Sequence, residues 1–140
     1  RFAARRVAAA VSLVDLLPTL VDLATQGRGA PLAAPIDGRS LYPHLSGSGG
    51  HDEVQGEYLA EGAIAPIVML RRERWKFVHS PADPDQLYDL AADPHERRNL
   101  AMEAGQAPRV AEFRAEVGNE VATVVMIGLE AYAGGAGLEA

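Results

Sequence analysis

The chain has 140 residues, 48% hydrophobic and 23% charged, which fits a globular fold and excludes collagen-like, coiled-coil and disordered compositions. Its 19 acids and 13 Lys and Arg give a net charge of −6, which argues against nucleic-acid binding through a basic surface. The absence of cysteine removes disulfides, thiolate metal sites and a cysteine nucleophile.

Residues 12–24 are expected to form a helix. Leu13, Leu16, Leu17, Leu20, Leu23 and Ala24 share one face, and Asp15, Thr19 and Asp22 share the other. Proline is tolerated in the first helical turn, so Pro18 makes Asp15 the expected N-cap and itself the third helical residue. Gln26-Gly27 should end the helix, with glycine in the left-handed region. A Gly/Pro-rich loop follows, with a short helical turn around residues 40–45 and a Gly/Ser run at 46–50. Four strands are expected next, at 54–59, 64–70, 75–79 and 86–90. Their tight links favour an antiparallel sheet, and Pro66 places the second strand at an edge. Asp93-Pro94-His95-Glu96 has the chemistry of a helix start, for a short helix to about Ala101. A last helix should begin at Pro108, with Val110, Phe113, Val117, Val121, Val124 and Val125 at helical spacing. Ala133 to Gly137 is expected to fray. No apolar run reaches the roughly 18 residues of a membrane span. The chain opens on Arg1 without a signal peptide, so a fragment of a longer protein is expected.

Chemistry-bearing residues are few. His51-Asp52-Glu53 has donor atoms for a metal, yet its place after a Ser/Gly loop favours a solvated strand entry. Ser40 lacks the flanking pattern of a nucleophile elbow and is expected in a structural turn. Glu57 and Glu61 bracket Tyr58 at a strand end. A carboxylate beside an aromatic face suits a quaternary ammonium ion, while spacing alone reads these acids as ordinary surface groups. Trp75 is expected in a core, with Lys76, the only lysine, on the outer face.

Three stretches, in order, resemble the C-terminal part of the sulfatases of the alkaline phosphatase superfamily. The first is Val11-Ser12-Leu13-Val14-Asp15-Leu16-Leu17-Pro18-Thr19-Leu20, followed by Asp37-Gly38-Arg39-Ser40-Leu41. The second is Arg74-Trp75-Lys76-Phe77. The third is Gln86-Leu87-Tyr88-Asp89-Leu90 with Asp93-Pro94-His95-Glu96 and Asn99-Leu100-Ala101. Residues 56–62 and 80–86 look like the choline-sulfatase branch in particular. The resemblance runs from about Arg5 to Gly118 and stops there. The sequence after Gly118 does not match the Arg-rich, aromatic extension of choline-sulfatases, which argues against a tetramer of their type.

That resemblance implies an α+β fold, a small four-stranded antiparallel sheet packed with a C-terminal helix. A helix and loop belonging to a large α/β domain would precede it. The expected divisions are 1–53, the end of the large domain; 54–118, the C-terminal subdomain; and 119–140, a divergent tail. The implied function of the whole protein is hydrolysis of choline O-sulfate to choline and sulfate. Family members use calcium and a formylglycine made in a C/S-x-P-x-R motif. This sequence lacks the motif, so the chain should be non-catalytic and carry no cofactor of its own. Glu61, Glu57 and Tyr58 are the expected substrate-binding residues. The expected partners are an upstream sulfatase domain, choline O-sulfate and further copies in a homo-oligomer, without nucleic acid or membrane. The expected location is the cytoplasm. The alternatives are the same segment of another sulfatase or of a phosphonate monoester hydrolase, and a free-standing interaction module.

Overall fold

The computed structural model describes residues 2–29, 35–59 and 62–118. A 3-10 turn (Leu13–Asp15) leads into helix α1 (Leu16–Thr25), and the short helix α2 (Tyr42–Ser46) follows. Then come strands β1 (Glu53–Tyr58), β2 (Ile67–Arg72), β3 (Trp75–Ser80) and β4 (Asp83–Asp89). A second 3-10 turn (Ala104–Gln106) precedes helix α3, residues 107–118. The strands form one four-stranded antiparallel sheet in the order β1-β2-β3-β4. This is the α+β architecture that the sequence led us to expect. The last helix is followed here to residue 118, so Val121, Val124, Val125 and residues 133–137 lie outside the described residues. The chain divides into two compact units. One takes in the chain up to Gln55 with Arg71–Glu73, and the other Gly56–Leu70 with the chain from Arg74 onward.

In the first unit Pro18 is the third residue of α1, where its missing N–H interrupts no helical bond. The helix ends at Gln26 and Gly27, both left-handed at φ 60° and 80°. Gly27 is required twice over: its φ disfavours a side chain, and a Cβ would lie 2.7 Å from the Tyr42 ring. Gly38 allows the closest approach in this unit, since a Cβ there would stand 2.0 Å from the Val14 carbonyl oxygen. The loop through Gly38 therefore lies directly on the turn before α1.

The burial of α1 is the reverse of an ordinary amphipathic helix. Its polar side, with Thr19, is buried, and its leucine side is open. The Thr19 hydroxyl donates to the Asp15 carbonyl oxygen (2.6 Å) and accepts the Leu41 N–H (2.8 Å). Leu13, Leu16, Leu17 and Leu20 all stay more than half exposed.

In the second unit the core lies between the sheet and α3. Val68 and Leu70 of β2, Phe77 of β3 and Leu87 of β4 meet Val110, Phe113 and Val117 of α3. The three α3 residues fall at i, i+3 and i+7, the stripe a helix offers to a sheet. The Phe77 and Phe113 rings stack with centroids 5.6 Å apart. Trp75 packs at the margin of this core, as expected for the only tryptophan. Arg109 lies over its ring, 3.9 Å from the centroid, in cation–π geometry.

Three local expectations are corrected. Pro66 precedes β2, and β2 lies inside the sheet, so the proline takes nothing from the ladder. The edge strand that holds a proline is β4, with Pro84. Simple alternation along β3 also fails, because a register shift between Val78 and Ser80 turns Ser80 to the buried side with Phe77. Finally, Asp93 opens a turn and not a helix. Its carboxylate accepts the Arg97 and Arg98 N–H groups (2.7 and 2.9 Å), while Glu96 adopts a left-handed φ of 54° that no helix continues through.

The chain leaves that turn to run along β4. Asn99 Oδ1 accepts the Leu87 N–H (3.0 Å) and the Ala101 N–H (2.9 Å), and Asn99 Nδ2 donates to the Asp85 carbonyl oxygen (3.0 Å). One side-chain amide thus bonds a strand edge as a peptide group would. Asn99→Ala would strand the Leu87 N–H and is expected to cost roughly 1–3 kcal/mol. A urea midpoint unchanged from the parent chain would contradict this assignment.

Candidate functional site

Alternation along β1 sends Gln55 and Glu57 to one face and Tyr58 to the other. Glu57 and Tyr58 are both exposed at the C-terminal end of the strand. Gly56, just before Glu57, lies close to β2, where a Cβ would stand 3.3 Å from Met69 Cε. Glu57 and Tyr58 are therefore neighbours at an open strand end but do not share a face. The third expected substrate-binding residue, Glu61, lies outside the described residues.

The strongest polar centre of the first unit is one that sequence reading missed. Asp15 is almost wholly buried. Its Oδ2 accepts the Ser12 N–H (2.8 Å) and lies 3.1 Å from His51 Nε2, and its Oδ1 accepts the Arg39 N–H (2.8 Å). Burial pushes the Asp15 carboxyl up, but the two N–H groups and His51 outweigh it and hold the group below its ordinary range. His51 is accordingly no solvated strand entry, since its side chain is only 9% exposed. His44 Nε2 donates to the His51 carbonyl oxygen (2.8 Å), and the two rings meet edge to face. This centre joins the start of α1, the loop at Arg39 and the chain entering β1. Its donors and acceptors answer one another, so its chemistry is structural.

A second centre lies in the other unit. Asp85 faces inward from β4 with its side chain 5% exposed. Its Oδ1 is 2.7 Å from His79 Nδ1, and its Oδ2 accepts from Arg114 Nε at 2.7 Å. The carboxylate thus ties β3 and β4 to α3. The lone lysine pairs with an acid of the 93–96 turn, Lys76 Nζ to Glu96 Oε2 at 2.6 Å. Sequence spacing carries no sign of these pairs, because each forms only when the sheet and helix assemble.

Among the described residues, no three His, Asp or Glu side chains are grouped as metal donors. His51, Asp52 and Glu53 point to different partners. His51 faces Asp15, Asp52 Oδ1 accepts the Ala10 N–H (2.6 Å), and Glu53 Oε2 accepts from Arg72 Nε (2.5 Å). Ser40 Oγ accepts the Tyr42 N–H (3.1 Å), the structural turn expected for it. No helix among the described residues is long and apolar enough to cross a membrane.

No family model matches the chain. Individual proteins do. It is 45% identical over 91 residues to a choline-sulfatase of Rhizobium meliloti (strain 1021), covering 64% of this chain and 17% of that protein. It is 34% identical over 110 residues to arylsulfatase K of Rattus norvegicus, covering 70% and 19%. It is 38% identical over 108 residues to a delta 4,5-hexuronate-2-O-sulfatase of Bacteroides thetaiotaomicron, covering 73% and 22%. The chain thus spans about a fifth of the length of the curated relatives it matches. Among solved structures, a sulfatase from Bacteroides thetaiotaomicron superposes with TM-score 0.64 at 35% identity, covering 78% of this chain and 24% of that one. A phosphonate monoester hydrolase of Agrobacterium radiobacter gives 0.61 at 29% identity, covering 85% and 26%.

Proposed function

Because this chain is homologous to the C-terminal segment of the sulfatases, we propose that it is the non-catalytic end of a choline-sulfatase-like enzyme. The whole enzyme would add water to choline O-sulfate and release choline and sulfate. The observation that carries this reading is the 45% identity to a choline-sulfatase, above the identity to the other two relatives described.

Calcium and formylglycine belong to the implied chemistry of the whole. The residues of this chain do not fit either group. The sequence has no cysteine and no C/S-x-P-x-R motif, and among the described residues no three acids and histidines are grouped as metal donors. Nucleophile, metal and oxyanion donors must converge within a few ångströms, so they would come from another part of a longer polypeptide. That part is the first expected partner of this segment, and the cytoplasm its expected location.

The role left to this segment is reading the cation. A trimethylammonium group offers no conventional hydrogen bond, so charge and aromatic faces must recognise it. Glu57 and Tyr58 lie at the end of β1, and Glu61 follows three residues after Tyr58. In the whole enzyme, Glu61→Gln is expected to raise KM for choline O-sulfate about ten-fold and leave p-nitrophenyl sulfate nearly unchanged. Glu57→Gln should act in the same direction more weakly. Equal losses on both substrates would assign Glu61 to the fold and not to choline.

A second reading is the same segment of another sulfatase or of a phosphonate monoester hydrolase. It is favoured by the 85% of the chain that superposes on the phosphonate monoester hydrolase. Two acids at the substrate would repel an anionic ligand, so the Glu57 and Glu61 variants separate the two readings. The genomic sequence upstream of Arg1 tests both at once. A C/S-x-P-x-R motif in the same reading frame is expected, and a stop codon without one would favour a free-standing interaction module.

A further inference from the structure

The outer edge of β4 is occupied by the chain that follows it. Alternate residues of an edge strand turn their backbone groups away from the sheet. On β4 these are Asp85, Leu87 and Asp89, and residues 92–100 bond to them. Asn99 Nδ2 donates to the Asp85 carbonyl oxygen (3.0 Å), and Asn99 Oδ1 accepts the Leu87 N–H (3.0 Å). The Leu100 N–H donates to the Leu87 carbonyl oxygen (2.8 Å), and the Ala92 and Asp93 N–H groups donate to that of Asp89 (3.1 and 2.8 Å). We infer that residues 92–101 are a guard over a strand-docking edge, and that β4, once uncovered, pairs antiparallel with β4 of a second copy. The inference rests on the sheet edge and stands apart from the choline reading.

An uncovered strand edge is a template for another strand, and folds close such edges with charge, proline or a covering loop. Here the covering is mostly polar. Of residues 92–101, Leu100 and Ala101 pack against the core cluster, and the next residue, Met102, is 89% exposed. A segment held mainly by surface hydrogen bonds can open while the core stays closed. Leu87 keeps its side chain in that core, so β4 stays in place when the guard leaves.

A second copy fits the edge by its own chemistry. Leu87 turns both its N–H and its C=O outward, so a two-fold axis beside it lets each Leu87 exchange both bonds with the other. That register sets Asp85 opposite the partner's Asp89. Like charges there would repel, but within each copy Asp85 is bonded to Arg114 and Asp89 to Arg74.

Hydrogen exchange at the Leu87 N–H reads the edge directly. In the unmodified chain it should be slow at every protein concentration, because Asn99 holds it. The double variant Asn99→Ala, Leu100→Pro removes both bonds from the guard to Leu87. Leu87 should then exchange at least about ten-fold faster at about 10 µM and slow again toward about 1 mM as edges pair. Asn99→Ala alone should move the same way by less, and it takes the place of the double variant if that one loses its circular dichroism. Val110→Ala loosens the same core without touching the guard and should show no dependence on concentration. Leu87 exchange that stays slow at both concentrations in the Asn99 variants would show that the segment guards nothing. Exchange that is fast at both would show that the open edge takes no strand. Either result overturns the inference, as would concentration-dependent exchange at Leu87 in Val110→Ala, which would trace the effect to general loosening.

Discussion

Asp15→Ala is expected to destabilise the first unit by about 3 kcal/mol, because it removes the buried carboxylate that accepts two part-buried N–H groups and faces a buried imidazole. The groups are the Ser12 and Arg39 amides and His51 Nε2, all within 3.1 Å of the carboxylate. The loss should be local. Amide exchange at Ser12 and Arg39 should accelerate by two orders of magnitude or more, roughly what 3 kcal/mol allows. The same carboxylate sets a pH dependence. Its folded-state pKa lies below the ordinary value, so its contribution is complete above about pH 4 and fades as pH falls through the depressed folded value. Asp15→Asn should abolish that acid-limb slope while keeping one acceptor. Unchanged exchange at Arg39 in Asp15→Ala would show that the carboxylate is not the anchor of this unit.

Phe77→Ala should cost about 3–5 kcal/mol, the range for deleting a buried aromatic side chain. Phe77 has no exposed surface, stacks on Phe113 and meets residues of β2, β4 and α3 in one cluster. The cavity would open where sheet and helix meet. Packing is the main hold on α3, aided by the Arg114–Asp85 bonds. The check is urea unfolding followed by Trp75 fluorescence, since Trp75 flanks the same cluster. A loss below 1 kcal/mol would mean that α3 is not docked through Phe77 and Phe113.

The sheet was legible because its strands alternate or run apolar between clear breakers. Ile67 to Leu70, Trp75 to Phe77 and Leu87 declare a buried face without tertiary information. Helix α3 declares itself through Val110, Phe113 and Val117. Other features were not legible, each for a physical reason. Asp93-Pro94-His95-Glu96 can cap a helix or close a turn, and the choice is made by Asn99, which draws the following chain onto β4. The leucine face of α1 was plain, but periodicity does not say whether an apolar face is covered. His51 looked solvated because its neighbours are polar, yet its partner Asp15 stands 36 residues earlier. The candidate site was legible only in part. Residue type and order point to Glu57 and Tyr58, and in the structure these two lie at the C-terminal end of β1 on opposite faces.

The most direct measurement is sulfate release from choline O-sulfate, run side by side on this 140-residue chain and on the product of the whole reading frame that contains it. Both should be assayed with calcium, and p-nitrophenyl sulfate should serve as the comparison substrate. The account predicts no turnover above buffer by the chain alone, and hydrolysis by the whole product with a clear preference for choline O-sulfate. Turnover by the isolated chain that survives repurification would contradict it, as would a whole product that cleaves other sulfate esters and spares choline O-sulfate.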